Sequence, residues 1–225
     1  MGIINPFKKE IDEKTVQYTK ALPKNLLIIF TRNPELGKCK TRLAATVGNE
    51  NALDIYKFLL QHTFNITKKL NAAKQVWYSE EIWTNDIWDK TLFDKKLQQG
   101  AELGVRMANA FTEGFAAGFE KICVIGSDIY DLKQADLEDA FDSLGDSDYV
   151  IGGAEDGGYY LLGMKKFDPN LFQNKNWGTE TVLEATLNDL KNEKVHLLEV
   201  RNDVDVYEDI AGKEAFEPFL KKIKK

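Results

Sequence analysis

The chain has 225 residues, 43% of them hydrophobic and 29% charged, with a formal net charge of -6 and a pI near 5.2. That length and balance describe one sizeable core of an ordinary soluble domain, and the acidity argues against nucleic acid as a partner, which wants a basic face. Cys39 and Cys123 imply no disulfide framework, the distant His62 and His196 no zinc site, and no apolar run nears the ~20 residues of a membrane span, so a reducing cytoplasm is the expected location.

Residues 1–24 read as an N-terminal extension, with an amphipathic helix over 8–20 and no signal-peptide apolar segment, ahead of one domain over 25–225. Leu26-Leu27-Ile28-Ile29-Phe30 reads as a fully buried strand, and it opens into a basic loop holding Arg32, Lys38, Lys40 and Arg42 around Pro34 and Gly37. Ala52, Leu53, Tyr56, Leu59, Leu60, Thr63 and Phe64 recur at helical spacing, which predicts a helix over 49–70. Residues 75–78 form a strand, while 80–96 have no assignable order. Leu103, Met107, Ala108, Phe111 and Phe115 give a second amphipathic helix. Residues 121–125 are a second buried strand ending in Gly126-Ser127-Asp128. A helix over 134–144, strands at 149–151 and 158–164, a helix over 179–192 capped by Thr179, a strand at 195–200 and a last helix over 207–222 complete the chain. Apolar strands alternating with helices predict an α/β fold: a single-domain, mostly parallel Rossmann-like sheet with helices on both faces.

Four constellations carry the chemistry. The loop over 31–43 is not a Walker A motif, since no Gly precedes Gly37 in it and Lys38 is not followed by Ser or Thr. It reads either as a diphosphate grip, with Lys38, Lys40, Arg42 and the Thr41 hydroxyl on the oxyanions, or as a solvated loop. Asp128, at the end of a central strand, faces the ligand crevice and can hold Mg²⁺ or Mn²⁺, or else cap the next turn. Asp156-Gly157-Gly158 lets backbone approach a ligand closely, with Asp156 holding a sugar hydroxyl or acting as a base; it reads equally as a hairpin turn. Asp203 and Asp205 are expected on opposite sides of an extended segment, so that only one enters the crevice with Asp128. Acids there also suit a following helix N-terminus. Trp177 and Arg106 are weaker candidates, for ring stacking or core packing and for a phosphate contact or a plain helix face.

In this order, Phe30…Gly37-Lys-Cys-Lys-Thr-Arg-Leu43, Gly104-Val-Arg-Met107, Gly126-Ser-Asp128, Glu155-Asp-Gly-Gly-Tyr-Tyr160, Trp177-Gly-Thr179 and Asp203-Val-Asp205…Glu208-Asp209 resemble one family. It is the bacterial glycosyltransferase-like family of nucleotide-diphospho-sugar transferase (GT-A) fold, which includes arsenosugar-biosynthesis glycosyltransferases. Phospholactate guanylyltransferases and molybdenum-cofactor nucleotidyltransferases are more distantly similar. The resemblance covers roughly residues 25–215. It implies nucleotide binding by Thr31, Arg32, Gly37, Lys38, Lys40, Thr41, Arg42, Arg106 and Ser127, with Mg²⁺ or Mn²⁺ on Asp128 and Asp205. It further implies an acceptor pocket of Asp156, Gly157, Gly158, Tyr159, Trp177 and Thr179, with Asp156, Lys40 and Arg42 catalytic. This chain departs from the pattern at Ile129-Tyr130, where Cys-Pro is usual, and at Arg32, where Lys is common. The expected activity is metal-dependent sugar transfer from a nucleotide-diphospho-sugar to a small-molecule acceptor. The alternatives are a nucleotidyltransferase acting on a phosphorylated small molecule and a non-catalytic nucleotide-binding protein.

Overall fold

The computed structural model describes residues 23–221; the helix expected over 8–20 lies outside them. The elements, in chain order, are β1 (Asn25–Thr31), α1 (Thr41–Val47), α2 (Asn49–Thr67), β2 (Ala73–Tyr78), β3 (Asp94–Leu97), α3 (Leu103–Ala116), β4 (Lys121–Ile125), α4 (Gln134–Ser143), β5 (Tyr149–Ala154), β6 (Tyr159–Met164), α5 (Val182–Asp189), β7 (Val195–Arg201) and α6 (Glu217–Leu220). Three 3₁₀ turns, Pro169–Phe172, Tyr207–Asp209 and Glu214–Phe216, fill the connections.

The strands form one seven-stranded sheet in the order β3-β2-β1-β4-β6-β5-β7. Only β6 runs antiparallel to its neighbours; every other pairing is parallel. Side chains of the central strands alternate between two cores, as the period of two requires. Leu27 and Ile29 of β1 and Cys123 and Ile125 of β4 meet Tyr56 and Leu60 of α2 and Leu137, Ala140 and Phe141 of α4. Leu26 and Ile28 with Ile122 and Val124 point to the opposite face, against Met107, Ala110 and Phe111 of α3. Both faces of the sheet are therefore covered, which explains why β1 and β4 read as unbroken apolar runs. Burying each such side chain contributes about 1.5–3 kcal/mol before entropy is counted.

A third core joins Leu43 and Val47 of α1 and Ile55 and Leu59 of α2 to Val204, Ile210, Phe216 and Leu220 of the C-terminal segment. That segment is not the single helix expected over 207–222. Gly212 takes φ +74° between two 3₁₀ turns, and Pro218 stands in the first turn of the short α6 where it starts a new helix. Helix α5 also starts later than expected. The Thr179 hydroxyl donates to the Asn176 carbonyl at 2.8 Å and caps no helix, and Thr181 occupies the flanking position.

The unassigned segment over 80–96 is ordered by a buried ion pair. Lys95 Nζ lies 2.6 Å from Asp86 Oδ1, with about a tenth of each side chain exposed, and the Tyr78 hydroxyl also bonds Asp86. Trp88 and Phe93 from the same segment enter the first core.

The sheet order places a switch point between β1 and β4. From β1 the chain winds outward through β2 and β3, then returns to β4 on the other side of β1. A crevice opens at the carboxyl ends of strands where the winding reverses.

Candidate functional site

Two adjoining cavities lie at this switch point, and both are lined by Phe30, Leu103, Gly126 and Asp128. Their shared rim is braced from below. The Tyr56 hydroxyl, carried on α2, accepts the Arg32 backbone N–H at 2.9 Å and lies 3.2 Å from both the Thr31 and the Ser127 hydroxyls. Burial pushes the Tyr56 phenol up, so it stays neutral. Thr31 and Ser127, expected to bind nucleotide, line the cleft but bond each other and Tyr56 while almost wholly buried. Their role in this geometry is to join the ends of β1 and β4. Tyr56 was not singled out from the sequence, where it is one of many apolar residues on a helix face.

The larger cavity, about 760 Å³, is the basic one. Arg32, Lys38, Lys40, Thr41, Arg42 and Arg106, the residues read as a nucleotide grip, line it together. Gly37 does not: at φ +75° it turns the loop outside the cleft wall. Lys38 is exposed and paired with Glu35 at 2.8 Å and Glu80 at 3.4 Å. Arg106 donates to the Gly100 carbonyl at 2.9 Å, which holds its guanidinium at the rim. Asn33 fastens the loop to the turn after β2, donating to the Glu81 carbonyl at 2.9 Å and accepting from Glu80 N–H at 3.2 Å.

Lys40 is the centre of this cavity. It takes the left-handed conformation, φ 50° and ψ 46°, immediately before α1, a region non-glycine residues occupy at a cost. Its side chain is only 7% exposed, with Nζ 2.7 Å from Asp128 Oδ2 and 3.7 Å from Asp205 Oδ1. Arg42 pairs with Asp205 from the solvent side. Burial alone would lower the Lys40 pKa; the hydrogen bond and charge of Asp128, with Asp205 and Asp203, outweigh it and raise the pKa. Lys40 is therefore a buried cation clamped between two strand-end acids.

Asp203 and Asp205 both come near Asp128, from different cavities. Asp203 lines the smaller cavity and Asp205 the larger, on either side of Asp128, which lines both, while Val204 between them is buried. The Val204 N–H donates to the Asp128 carbonyl at 3.2 Å, and one Asp209 oxygen accepts the Asp205 and Val206 N–H groups at 2.7 Å each. The Asp203 carboxyl is pushed up to about 6 by burial, then by Asp128, Asp156 and Asp205, with Lys40 opposing. The sequence reading put only one of this pair in the crevice with Asp128 and chose Asp205; the structure places Asp203 on the neighbouring cavity wall as well.

The donor set fits a hard divalent cation in chemistry: carboxylate oxygens only, with more negative charge than Lys40 and Arg42 balance. It is not a preformed cage, since among the described residues no three His, Cys, Asp or Glu side chains converge as a metal site. Lys40 holds the space between Asp128 and Asp205.

The smaller cavity, about 220 Å³, gathers the expected acceptor residues Asp156, Gly158, Tyr159, Trp177 and Thr179. Gly157 is the exception. At φ +82° it packs onto the Glu180 backbone, where an added Cβ would lie 2.2 Å from a carbonyl oxygen, so it fixes the turn and lines nothing. Asp156 accepts the Gly158 N–H at 2.9 Å, so the plain turn expected as the alternative is also present. The Trp177 indole lies directly on Gly104, where a Cβ would come within 2.3 Å of Nε1, and meets Tyr159 edge-on at 6.4 Å. This gives Gly104 a physical reason: the start of α3 must be bare for the indole to lie flat.

At the Ile129-Tyr130 departure, Ile129 contributes an apolar wall to the smaller cavity. Tyr130 lines neither cavity; it packs against Phe58, Phe216 and His62 at ring distances of 5.6, 5.0 and 5.2 Å. Asp131 faces Lys213, away from the cavities.

No helix among the described residues is long and apolar enough to cross a membrane. No curated protein is similar enough in sequence to count as a relative. Among solved structures, a provisionally designated nucleotide-diphospho-sugar transferase from Desulfovibrio desulfuricans G20 is 29% identical. It covers 89% of this chain and 95% of its own, with a TM-score of 0.78. A homologue of Rv0371c from Mycobacterium sp. strain JC1 is 13% identical over 89% of this chain and 99% of its own, with a TM-score of 0.55. A cytidylyltransferase from Leptospira borgpetersenii serovar Hardjo-bovis (strain JB197) is 14% identical over 89% and 94%, with a TM-score of 0.52. The fold is that of the nucleotide-diphospho-sugar transferases. A family model matches residues 62–179, more than half of the 225, and the chain therefore belongs to the family described as "uncharacterized protein conserved in bacteria (DUF2064)".

Proposed function

We propose that this chain is a transferase that takes a sugar from a nucleotide-diphospho-sugar and passes it to a small-molecule acceptor. The observation that carries the reading is the segregation of charge between the two cavities that share Asp128. The larger is lined by Arg32, Lys38, Lys40, Arg42 and Arg106 against Glu80, Asp128 and Asp205; the smaller by Asp128, Asp156 and Asp203 with no Lys, Arg or His. A diphosphate belongs with the cations, through charge-assisted hydrogen bonds. The group exchanged at its far end belongs with the carboxylates, which accept from hydroxyls. The likeness to the Desulfovibrio protein supports the same donor class.

In this reading the acceptor hydroxyl oxygen bonds to the anomeric carbon as that carbon's bond to the diphosphate breaks. The proton goes to a carboxylate of the smaller cavity, for which Asp156 is the expected base. The leaving diphosphate is stabilised by Lys38, Lys40 and Arg42. A Mg²⁺ or Mn²⁺ ion on Asp128 and Asp205 would supply further neutralisation of that charge. An arsenosugar-type acceptor is the finest form of the reading, and rests on the resemblance alone.

A nucleotidyltransferase is the second reading, favoured by one feature: five cations around 760 Å³ would also suit a triphosphate. The products separate them. Sugar transfer releases nucleoside diphosphate, nucleotidyl transfer releases pyrophosphate. A thermal-shift screen of nucleotides and nucleotide sugars, with and without Mn²⁺, selects the donor, because a ligand bound only by the folded state raises its apparent stability. Product analysis then decides; pyrophosphate forming in step with turnover overturns the proposal. Nucleotide binding that ignores divalent metal, with no turnover of any donor, points instead to a non-catalytic binding protein.

A further inference from the structure

The smaller cavity limits its own occupant more sharply than the fold does. Its walls are apolar or aromatic: Phe30, Met107, Ile129, Tyr159, Trp177 and Val182. Every charged group among its lining residues is an acid: Asp128, Asp156 and Asp203. Lys40 compensates one of these, Asp128, from the far side of the rim. For Asp203, half-buried on the wall of this cavity, the structure gives no hydrogen bond or ion pair, so its carboxylate has acceptor capacity left for an occupant. An anion entering here would meet like charge in partly desolvated surroundings, with no cation on its side of Asp128. At about 220 Å³ the space is below the range of drug-sized ligand pockets.

We propose that this cavity binds a small acceptor with an apolar or aromatic body and a hydroxyl or amine donor head, and that it excludes acceptors bearing phosphate or carboxylate. The body lies against Trp177 and Tyr159, whose geometry is set by the bare backbone at Gly104. The donor head faces Asp156 and Asp203, and an amine gains most from the surplus negative charge. The inference rests on the smaller cavity being the acceptor side in the proposed function.

The test uses one ring with three heads: benzylamine, benzyl alcohol and benzyl phosphate. Each is titrated into the full chain while the Trp177 indole N–H resonance is followed, assigned by its loss in Trp177→Phe. The titrations are run with and without saturating nucleoside diphosphate, so that benzyl phosphate held only in the basic cleft is not counted. Benzylamine should bind at least tenfold more tightly than benzyl phosphate, with benzyl alcohol between them. Asp203→Asn should cut the amine-to-phosphate ratio at least threefold, and Asp156→Asn should act in the same direction. Benzyl phosphate moving the Trp177 signal at the same concentrations as benzylamine, or none of the three moving it, overturns the inference. Failure of nucleoside diphosphate to bind overturns the functional reading instead, and is measured separately.

Discussion

Replacing Lys40 with Met keeps the length of the side chain and removes its charge. The ammonium lies 2.7 Å from Asp128 and 3.7 Å from Asp205, and at an effective dielectric of about 20 the gross attractions are roughly 6 and 4 kcal/mol. Desolvating a side chain that is only 7% exposed takes back several kcal/mol of this. Removing one partner of a buried pair typically costs about 3–5 kcal/mol, but Asp128 and Asp205 are 31% and 23% exposed and can regain water. We expect Lys40→Met to lose about 2–3 kcal/mol of unfolding free energy, below that range because the two acids regain water. Urea denaturation at pH 7 reads this as a lower midpoint with an unchanged slope. Because the folded pKa of Lys40 is raised above its unfolded value, its contribution is complete below about 10.5 and fades only as pH rises through the folded pKa. The gap between wild type and variant should therefore hold steady from neutral pH to pH 9. Nucleoside diphosphate affinity should fall by about 10- to 100-fold, the loss of one charge-assisted contact. In Lys40→Met/Asp128→Asn the two losses should couple by at least about 0.5–1 kcal/mol. A variant as stable as wild type, or losses that simply add, would refute the clamp.

Asp203→Asn should act in the opposite direction. An acid raised to about 6 in the folded state destabilises it progressively as pH rises from about 4 to 6, because the unfolded chain ionises first. The variant should match wild type below pH 4 and exceed it by about 1–3 kcal/mol at pH 7, read from denaturation midpoints across that window. Gly104→Ala should push the Trp177 indole off α3, cost about 1–3 kcal/mol and alter tryptophan fluorescence, while nucleotide binding in the basic cleft persists. Asp86→Ala strands the buried Lys95 and should cost about 3–5 kcal/mol, with the nucleotide Kd of the folded protein unchanged; a changed Kd would mean that the segment over 80–96 couples to the site.

What the sequence made legible follows from period and composition. β1 and β4 carry apolar side chains on both faces, and acids or cations where they end, so their identity and the crevice between them could be read directly. β3 could not: Asp94-Lys95-Lys96-Leu97 is a charged edge strand whose place is set by pairing with β2 and by the Lys95–Asp86 bond. α1 was hidden because its seven residues begin inside the basic loop, after a left-handed Lys40 that no spacing rule foresees. The expected helix over 207–222 had the right apolar residues, Ile210, Phe216 and Leu220, and they do reach the third core. Gly212 turns the backbone after Ile210, a 3₁₀ turn then delivers Phe216, and the short α6, with Pro218 in its first turn, delivers Leu220. The Lys40 clamp joins positions 88 and 165 residues apart, beyond any local signal.

In the sequence, Ile129-Tyr130 is a departure from the Cys-Pro usual beside Asp128. In three dimensions it is part of how the acids are held. The Asp128 carbonyl anchors Val204, and Tyr130 builds the aromatic packing with Phe58 and Phe216 that closes the third core over the C-terminal segment. Val204 itself is buried in that core, with Asp203 and Asp205 on either side of it. The stretch that differs from the usual pattern therefore ties the end of β4 to the loop carrying the other two carboxylates. Its side chains carry apolar packing and leave the Asp128 carboxylate facing Lys40 and the shared rim. The altered motif therefore leaves the Asp128 carboxylate in place beside Lys40, and it is Lys40 that a bound diphosphate would have to draw away from Asp128 and Asp205.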